Sequence, residues 1–374
     1  MTFDARHLQT ASRVRGIGRY TRNLLAAFAR LAPPDVEWTL LRLRTFPPAD
    51  DPPLPPHRER RTLRLRRPEL SMLVLDPLLL PFEIGGADVY HSTQLSLPAR
   101  SRTGTVVTVH DLAPLRWPEH YQRTPWARAG HAWQYHLVTK ADAIVAPSRA
   151  TEADLVERLR IPRSRIRVIP EAVDADFDPP SREDARRLVR ERYGIERYAL
   201  YVGQFDPRKN TAGLLAAFQR AAERDGALRL VIVGDLGKLA RFLHDALATS
   251  RVDRGRVVLT GHVDEPTLAA LYAGAEVLLH AALLEGFGLT PLESLAAGTP
   301  VVGYRAGAVV EVVGDAGVLV SEDEPDALGD ALVAVLGDPS RLDALRAHAK
   351  PRAASFSWDR AARDTLDVYR GVAR

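Results

Sequence analysis

Short apolar segments alternate with amphipathic, helix-like segments along the whole chain, and this alternation limits the possible fold more than any other feature. In the first part of the chain, ADVYH and GTVVTVH are strand candidates, and TEADLVERLR is an amphipathic helix candidate. In the second part, RYALYVGQF and LRLVIVGD flank a second helix candidate. Strands that alternate with helices form parallel sheets covered by helices. The sequence therefore predicts an α/β protein with doubly wound sheets.

The 374 residues are sufficient for two such domains. A segment rich in Asp and Pro separates the two series of strands, and we place a hinge there, near 172–185. We assign 1–172 to a first Rossmann-like domain and 180–355 to a second. The last segment, 356–374, reads as a helix with apolar residues at helical spacing, so it needs an apolar surface to cover. We assign this helix to the first domain.

Composition excludes several classes of function. The chain has 51 basic and 47 acidic residues, and this balance argues against a dedicated nucleic-acid-binding protein. It has no cysteine, which excludes disulfides, thiolate nucleophiles and cysteine metal sites. The N-terminus lacks a signal-peptide pattern, and SMLVLDPLLLPF is too short and interrupted to span a bilayer. We therefore expect a cytoplasmic protein.

One cluster of positive charge stands out, HRERRTLRLRR at 57–67, after a proline-rich segment. We expect a solvated loop that leads into a strand decorated with arginines. The alternative is a patch that binds anionic lipid headgroups and holds the protein at the inner face of a membrane.

The stretch EGFGLTPLESLAAGTPVV (285–302) places one glutamate on each side of a glycine-containing loop. Thr290 followed by Pro291 and Glu293 predicts a capped helix start, and Gly298 predicts the helix end. Apolar runs on both sides complete a strand–loop–helix–strand unit. Such a loop lies at the carboxyl edge of a parallel sheet, where ligands bind and free N–H groups attract phosphate. Glu285, which precedes the helix and has no capping role, is a functional candidate.

Two other loops are candidates for binding phosphate. RGIGRYTRNLL puts Gly16 and Gly18 between the first strand and the first helix, but position 21 is Thr and the second strand lacks a ribose-binding acid. A nicotinamide dehydrogenase is therefore disfavoured, whereas an anion-binding turn is retained. YVGQFDPRKN puts Arg208 and Lys209 in a strand-to-helix loop, where cations can neutralise a diphosphate. The alternative there is a surface turn with exposed basic side chains.

Three histidines, His91, His110 and His280, each follow or end a predicted strand. Together they predict a polar floor to a cleft, although each alone is more typical of a structural histidine. The sequence contains no Asp-x-Asp pair beside a strand end, no serine nucleophile elbow and no P-loop. We therefore expect no metal site.

Together these segments resemble the retaining glycosyltransferases of family 4, which have the GT-B fold. The resemblance runs over nearly the full chain, and the Glu-x7-Glu element of 285–302 is its most specific part. It implies two facing Rossmann-like domains with a cleft between them, and a C-terminal helix that crosses back to the N-terminal domain. The acceptor would bind the first domain and the nucleotide sugar the second. The segments that carry it are GIGRYTRNLL, TVHDL, APSRATEADL, VIPEAVD, YVGQFDPRKN, LTGHV, EGFGLTPLESLAAGTPVV and FSW.

The resemblance also implies roles for individual residues. Glu285 would contact the hydroxyls of the donor sugar, His110 would reach the transferred sugar, and Lys209 would hold the diphosphate. The implied donor-binding residues are Gly16, Gly18, Arg208, Lys209, His262, Val263, Phe287, Gly288, Leu289 and Glu293.

The implied reaction moves a hexose from a nucleotide diphosphate sugar to an acceptor hydroxyl, with retention of configuration and without a metal or other cofactor. The PRKN form resembles bacterial mannosyltransferases, so GDP-mannose is the first donor candidate and a UDP-sugar the second. The acceptor would be a glycan, a glycolipid or a small molecule. Alternatives are a sugar-nucleotide epimerase or a phosphorylase on the same architecture, and a non-catalytic protein that binds nucleotide sugars.

The chain departs from the family pattern at three places, which comprise five residues. Gln204 stands where Arg is common, Glu171 and Ala172 replace a frequent Asn-Gly pair, and His280 with Ala281 replaces Pro-Ser. With Gln at 204, Lys209 and Arg208 must supply more of the phosphate neutralisation.

Overall fold

The computed structural model of the protein describes residues 1–14, 16–44, 53–63, 70–204, 206–234, 237, 240–322, 324 and 326–374. Residues 64–67 of the predicted basic cluster lie outside this description. The chain divides into two compact units, Met1–Asp174 with Ser357–Arg374, and Ala175–Phe356. We call them unit 1 and unit 2. The acceptor and donor roles assigned to the two domains remain predictions.

Strands and α-helices alternate in both units, as predicted. The strands are β1 Thr2–Asp4, β2 Trp38–Leu43, β3 His57–Thr62, β4 Val89–Ser92, β5 Gly104–Thr108, β6 Ala143–Ala146, β7 Ile166–Val168, β8 Tyr198–Val202, β9 Arg229–Val233, β10 Val257–Gly261, β11 Val277–His280, β12 Val301–Tyr304 and β13 Gly317–Val320. The α-helices are α1 Gly16–Leu31, α2 Asp76–Glu83, α3 Ala113–Arg116, α4 Pro118–Tyr121, α5 Pro125–Val138, α6 Arg149–Leu159, α7 Arg182–Tyr193, α8 Thr211–Ala222, α9 Ala240–Thr249, α10 Glu265–Gly274, α11 Leu289–Ala296, α12 Val309–Val313, α13 Ala327–Leu336, α14 Pro339–Ala354 and α15 Trp358–Val372. A π-helical turn, Ser71–Leu75, leads directly into α2.

Unit 1 contains a seven-stranded sheet in the order β3-β2-β1-β4-β5-β6-β7, and its neighbouring strands are parallel. The C-terminal helix α15 packs on α1 and on the adjacent strands β5 and β6 of this unit. Its predicted apolar stripe is confirmed, because every member is buried: Trp358, Ala361, Ala362, Thr365, Leu366 and Tyr369.

Unit 2 contains a six-stranded parallel sheet in the order β10-β9-β8-β11-β12-β13. The strand order reverses between β8 and β11, so the connections after these two strands lead to opposite sides of the sheet. Such a reversal leaves a crevice at the carboxyl ends of the two strands, and ligands of doubly wound sheets bind there. The loops after β8 and β11 are those that carry Lys209 and Glu285.

The hinge region and one predicted helix start differ from expectation. Helix α7 begins inside the predicted hinge, because the Ser181 side chain caps it by accepting from Asp184 N. Eight of its twelve residues are charged and it buries only Ala185 and Val189, which hides its helical pattern. Helix α11 begins at Leu289 with Gly288 at the N-cap, so the prediction that Thr290 caps this helix is wrong.

Gly16 and Gly18 lie in the first turn of α1, not in the loop before it, which corrects their predicted placement. A Cβ at Gly18 would lie 2.2 Å from the main-chain oxygen of Ser12 and 2.4 Å from Cα of Arg13. A Cβ at Gly16 would meet no described atom within 4 Å. Gly18 is therefore required for the close approach of α1 to the preceding 3-10 turn, Ala11–Val14. The predicted contact of both glycines with phosphate stays a prediction.

We expect Gly18→Ala to destabilise the protein and Gly16→Ala to leave it unchanged or slightly more stable. Forcing a methyl group against backbone costs roughly 1–3 kcal/mol, whereas alanine in an open helical position gains up to about 1 kcal/mol over glycine. The free energy of unfolding in urea would be measured for both variants and the wild type. Equal stabilities for the two variants would show that α1 does not depend on its contact with Ser12.

Candidate active site

The turn after β8 holds Arg208 and Lys209 in a fixed arrangement. The Asp206 side chain accepts from Arg208 N at 3.0 Å, and Asn210, with φ of 50°, caps α8 by accepting from Gly213 N. Lys209 is 9% exposed. The alternative of a surface turn with exposed basic side chains is therefore wrong for Lys209.

The loop after β11 brings Glu285 to these two cations. Lys209 Nζ donates to Glu285 Oε1, and Arg208 Nη1 donates to Oε2 at 3.2 Å. His280, the last residue of β11, places Nε2 at 3.4 Å from Oε1. Glu285 is buried, and burial alone would raise its pKa, but Lys209, His280 and Arg208 together hold the pKa well below its usual range. The carboxylate is therefore ionised and is the shared counter-ion of two cations.

His280 is a neutral neighbour of this ion cluster. Burial lowers its pKa more strongly than the adjacent Glu285 raises it, so the imidazole is uncharged at neutral pH. The sequence identified His280 only as a polar residue at a strand end. Its role beside Glu285 could not be read from the sequence, since the two residues are five positions apart and a loop separates them.

The main chain of Glu285 is also held in place. Ala308 N donates to its carbonyl at 3.1 Å. Gly307 adopts φ of 58°, and a Cβ there would lie 2.4 Å from the same carbonyl oxygen. A side chain at 307 would thus displace the turn that supports Glu285. Sequence reasoning missed this glycine, which has no local motif to mark it.

Glu293 lies on α11 and is 3% exposed. The Tyr272 hydroxyl donates to its Oε2 at 2.7 Å, which fixes the orientation of the carboxylate. Phe287, in the loop before the helix, is buried against Phe356 with ring centroids 5.7 Å apart. Gly288 has φ of 106°, a value that favours glycine. Leu289 begins the helix, so the N–H groups of Leu289 and Thr290 have no acceptor within the helix itself.

In unit 1, His110 follows β5 and has two polar partners. Its Nδ1 lies 3.2 Å from Oε1 of Glu171, and its Nε2 lies 3.2 Å from the carbonyl of Thr93. The Tyr20 ring meets the imidazole edge-on at 4.8 Å. A carboxylate on one ring nitrogen orients the imidazole in many active sites. The sequence noted Glu171 only as a departure at the hinge, and its contact with His110 was missed.

His91 has a structural role, so the prediction that three histidines form one polar floor is wrong for this residue. Its ring is wholly buried between the Tyr369 hydroxyl, 2.6 Å from Nδ1, and the Thr108 hydroxyl, 2.8 Å from Nε2. It joins the C-terminal helix to the sheet of unit 1. Burial lowers the pKa of His91 to about 3.

His262 and Val263 follow β10 in the turn before α10, with His262 exposed and Val263 half-buried. The next residue, Asp264, caps α10 by accepting from Thr267 N. Their proposed contact with the nucleotide base remains a prediction. Across the described residues, His, Asp and Glu side chains form no group of three that could hold a metal ion.

Two family descriptions match most of the chain between them. "Glycosyltransferase Family 4" matches residues 14–177, and "Glycosyl transferases group 1" matches residues 185–353. A D-inositol 3-phosphate glycosyltransferase from Salinispora arenicola is 31% identical over 310 residues, which cover 76% of this chain and 69% of the relative. The chain belongs to glycosyltransferase family 4. The chain spans 58 to 66% of the length of four other relatives that have the same name.

This family 4 glycosyltransferase is also similar to the O-antigen chain mannosyltransferase B of Escherichia coli, at 28% identity over 75% of this chain and 74% of the relative. The crystal structure of Anabaena Alr3699/HepE in complex with UDP-glucose matches with a TM-score of 0.74 and 16% identity, over 99% of each chain. That likeness confirms the predicted GT-B fold. As a member of the family, the protein is an enzyme that transfers a sugar from a nucleotide sugar.

We expect stability to fall in acid through His91, and His91→Gln to reduce that dependence. The unfolded imidazole takes up a proton near pH 6.5, whereas the folded one does so only near pH 3. The contribution of the neutral ring is therefore complete above pH 6.5 and is lost as pH falls toward 3, by roughly 1.4 kcal/mol per pH unit.

The free energy of unfolding would be measured between pH 7 and about pH 4 for wild type, His91→Gln and the exposed control His348→Gln. The slope should flatten in His91→Gln alone. An unchanged slope in that variant would mean that the buried ring is already charged in the folded protein.

Proposed function

We propose that the enzyme transfers a hexose from a nucleoside diphosphate sugar to an acceptor hydroxyl with retention of configuration. The donor would bind unit 2 at the carboxyl edge of its sheet. The observation that carries this proposal is the ion cluster at the strand-order reversal, where Lys209, Arg208 and Glu285 meet. Cations beside a helix N-terminus suit a diphosphate, and a carboxylate beside them suits the hydroxyls of a sugar.

The diphosphate would lie against Lys209, Arg208 and the first-turn N–H groups of α11, near Gly288 and Leu289. As the bond between the sugar and phosphate breaks, negative charge collects on the departing phosphate. Fixed cations and N–H dipoles stabilise that charge more than they stabilise the bound donor. The proposed reaction therefore requires no metal.

Glu285 would change partners when the donor binds. Without a donor its carboxylate neutralises Lys209 and Arg208, and the donor diphosphate would compete for the same two cations. Glu285 would then accept from the hydroxyls of the sugar and favour its positively charged transition state. The acceptor oxygen would bond to the anomeric carbon on the face that the phosphate leaves, and its proton would pass to a phosphate oxygen. Configuration is then retained.

The nucleoside would lie toward Glu293, whose carboxylate Tyr272 orients to accept from the ribose hydroxyls. In unit 1, His110 would donate from Nε2 to the transferred sugar in place of the Thr93 carbonyl, while Glu171 fixes the ring through Nδ1. We propose GDP-mannose as the first donor, supported by the mannosyltransferase among the relatives, and a UDP-sugar as the second. A glycan, a glycolipid or a small polar molecule is the proposed acceptor.

Three other functions would be distinguished by their products and cofactors. An epimerase would convert the free nucleotide sugar without an acceptor. A phosphorylase would carry a lysine-bound pyridoxal cofactor and absorb accordingly. A non-catalytic protein would be stabilised by a nucleotide sugar and would release no nucleotide.

We expect one nucleotide sugar in a panel to raise the unfolding temperature by several degrees and to be cleaved slowly to the nucleoside diphosphate, also in EDTA. A donor concentration of about 100 times Kd stabilises a protein by roughly 2.7 kcal/mol.

Lys209→Ala should raise the donor Kd by about 10- to 100-fold, since a charged hydrogen bond contributes roughly 1.5–3 kcal/mol. The exposed Lys140→Ala is the matched control. Unchanged donor affinity in Lys209→Ala would remove this lysine from the site.

For Glu285→Gln we expect turnover to fall by about 10²- to 10³-fold while donor affinity stays the same or increases. The loss of rate follows from losing a charge that acts on the transition state. The gain in affinity follows because Lys209 and Arg208 lose their internal counter-ion and attract the diphosphate more strongly. Calorimetric titration and release of nucleoside diphosphate measure the two effects separately. Near-normal turnover would refute the assigned role of Glu285.

A further inference from the structure

A two-part helix in unit 1 exposes an apolar surface that no described part of the protein covers. The helix runs through the π-helical turn Ser71–Leu75 and α2. Val74, Leu78 and Phe82, spaced four residues apart, are 43%, 59% and 82% exposed. The intervening leucines at 73, 75 and 79 are half-buried. Large apolar side chains on adjacent turns form a continuous patch, which is unusual on the surface of a soluble protein.

The orientation of this helix is fixed, so the patch cannot turn inward. Asp76, the only charged residue within 70–82, accepts from Arg6 Nη1 at 2.9 Å and from the Ser96 hydroxyl at 2.6 Å. Both Asp76 and Arg6 are buried. Rotation of the helix would expose Asp76 or leave its carboxylate buried without the Arg6 guanidinium, which is strongly unfavourable.

Basic side chains lie beside the end of the patch. The guanidinium of Arg60 on the edge strand β3 donates to the carbonyl of Glu83, the residue after Phe82. Side chains alternate between the faces of a strand, so Arg58 and Arg60 share the face on which this helix ends. Both are exposed. On the opposite face, Arg61 lies 3.5 Å from Glu59 and is thus partly neutralised.

We propose that Val74, Leu78 and Phe82 insert into the surface of an anionic lipid bilayer while Arg58 and Arg60 contact its phosphate groups. Apolar side chains that enter the interface, together with nearby basic residues, constitute the two signals required for stable peripheral binding. The described part of the chain contains no helix that is long and apolar enough to cross a bilayer. Insertion of these side chains would hold the enzyme on the membrane surface, beside acceptors held there.

Vesicle sedimentation tests this proposal. We expect the wild-type protein to sediment with vesicles of phosphatidylcholine mixed with phosphatidylglycerol, and not with vesicles of phosphatidylcholine alone. Binding should weaken as salt is added, because salt screens the attraction between arginine and phosphate. Equal binding to both vesicle types, or to neither, would overturn the proposal.

Two double variants separate the apolar and charged contributions. Leu78→Ser with Phe82→Ser should lower the partition coefficient by about 100-fold, since burial of each side chain contributes roughly tenfold. Arg58→Gln with Arg60→Gln should lower it by about fivefold per arginine at low salt, with a smaller effect at high salt. Leu188→Ser with Val310→Ser, which alters two exposed apolar residues of unit 2, is the matched control and should bind like wild type.

Circular dichroism and the unfolding temperature would confirm that each variant is folded. Release of nucleoside diphosphate from a soluble donor should not change in any of them, so a failure here is distinguishable from a failure of the proposed reaction. If Leu78→Ser with Phe82→Ser binds vesicles as wild type does, the proposal is overturned. A change from dimer to monomer in that variant, without vesicle binding by the wild type, would overturn it in favour of a second copy on the patch.

Discussion

The ion cluster of Lys209, Arg208 and Glu285 is the interaction on which the candidate site depends. Each partner comes from a loop that follows a central strand, and the order of those strands reverses between them. The parallel sheet brings the loops together, and burial makes their opposite charges interdependent. A carboxylate with two cationic partners and a neutral imidazole stays ionised even though burial opposes it. A diphosphate sugar could take over both cations, since the hydroxyls of its sugar would then donate to the Glu285 carboxylate that the cations leave.

Unit 1 has the same reversal of strand order, between β1 and β4, but a buried network of charged side chains occupies it. There Arg6 binds Asp4 through two nitrogens and reaches Asp76, and the side chains of Arg6 and Asp4 are at most 1% exposed. In unit 2 the side chains of Arg208 and Lys209 are 22% and 11% exposed. A wholly buried network cannot exchange its partners with a ligand from water at low cost, whereas a partly exposed one can. The same topology thus supports a structural lock in one unit and an exchangeable ion cluster in the other.

The sequence predicted most of the fold because the spacing of apolar residues and the residues that form turns can be recognised within short segments. The strand candidates ADVYH, GTVVTVH, RYALYVGQF and LRLVIVGD all contain strands, and the left-handed turn at Gly298 is confirmed. The failures concern contacts between distant residues. Threonine is a residue type that often caps helices, yet Gly288 and not Thr290 is the N-cap of α11. In the sequence, His91 resembles a site histidine because it ends a strand. Its structural role depends on the hydroxyl groups of Thr108 and Tyr369, and neither residue lies near it in the sequence. For the same reason Glu171, His280 and Gly307 could not be assigned as supports of the site.

The apolar helix shows how one side chain can determine what a whole segment does. SMLVLDPLLLPF reads as a hydrophobic run without a preferred face, and such a run would normally be placed in a core. Asp76 selects the face, because its carboxylate must reach Arg6 inside unit 1. Val74, Leu78 and Phe82, on the opposite side of the helix, are then exposed to solvent. Arg6 therefore serves two purposes, since it closes the strand reversal of unit 1 and also keeps the apolar surface outward. The buried ion pair of Arg6 and Asp76 thus determines which side chains of the helix are exposed.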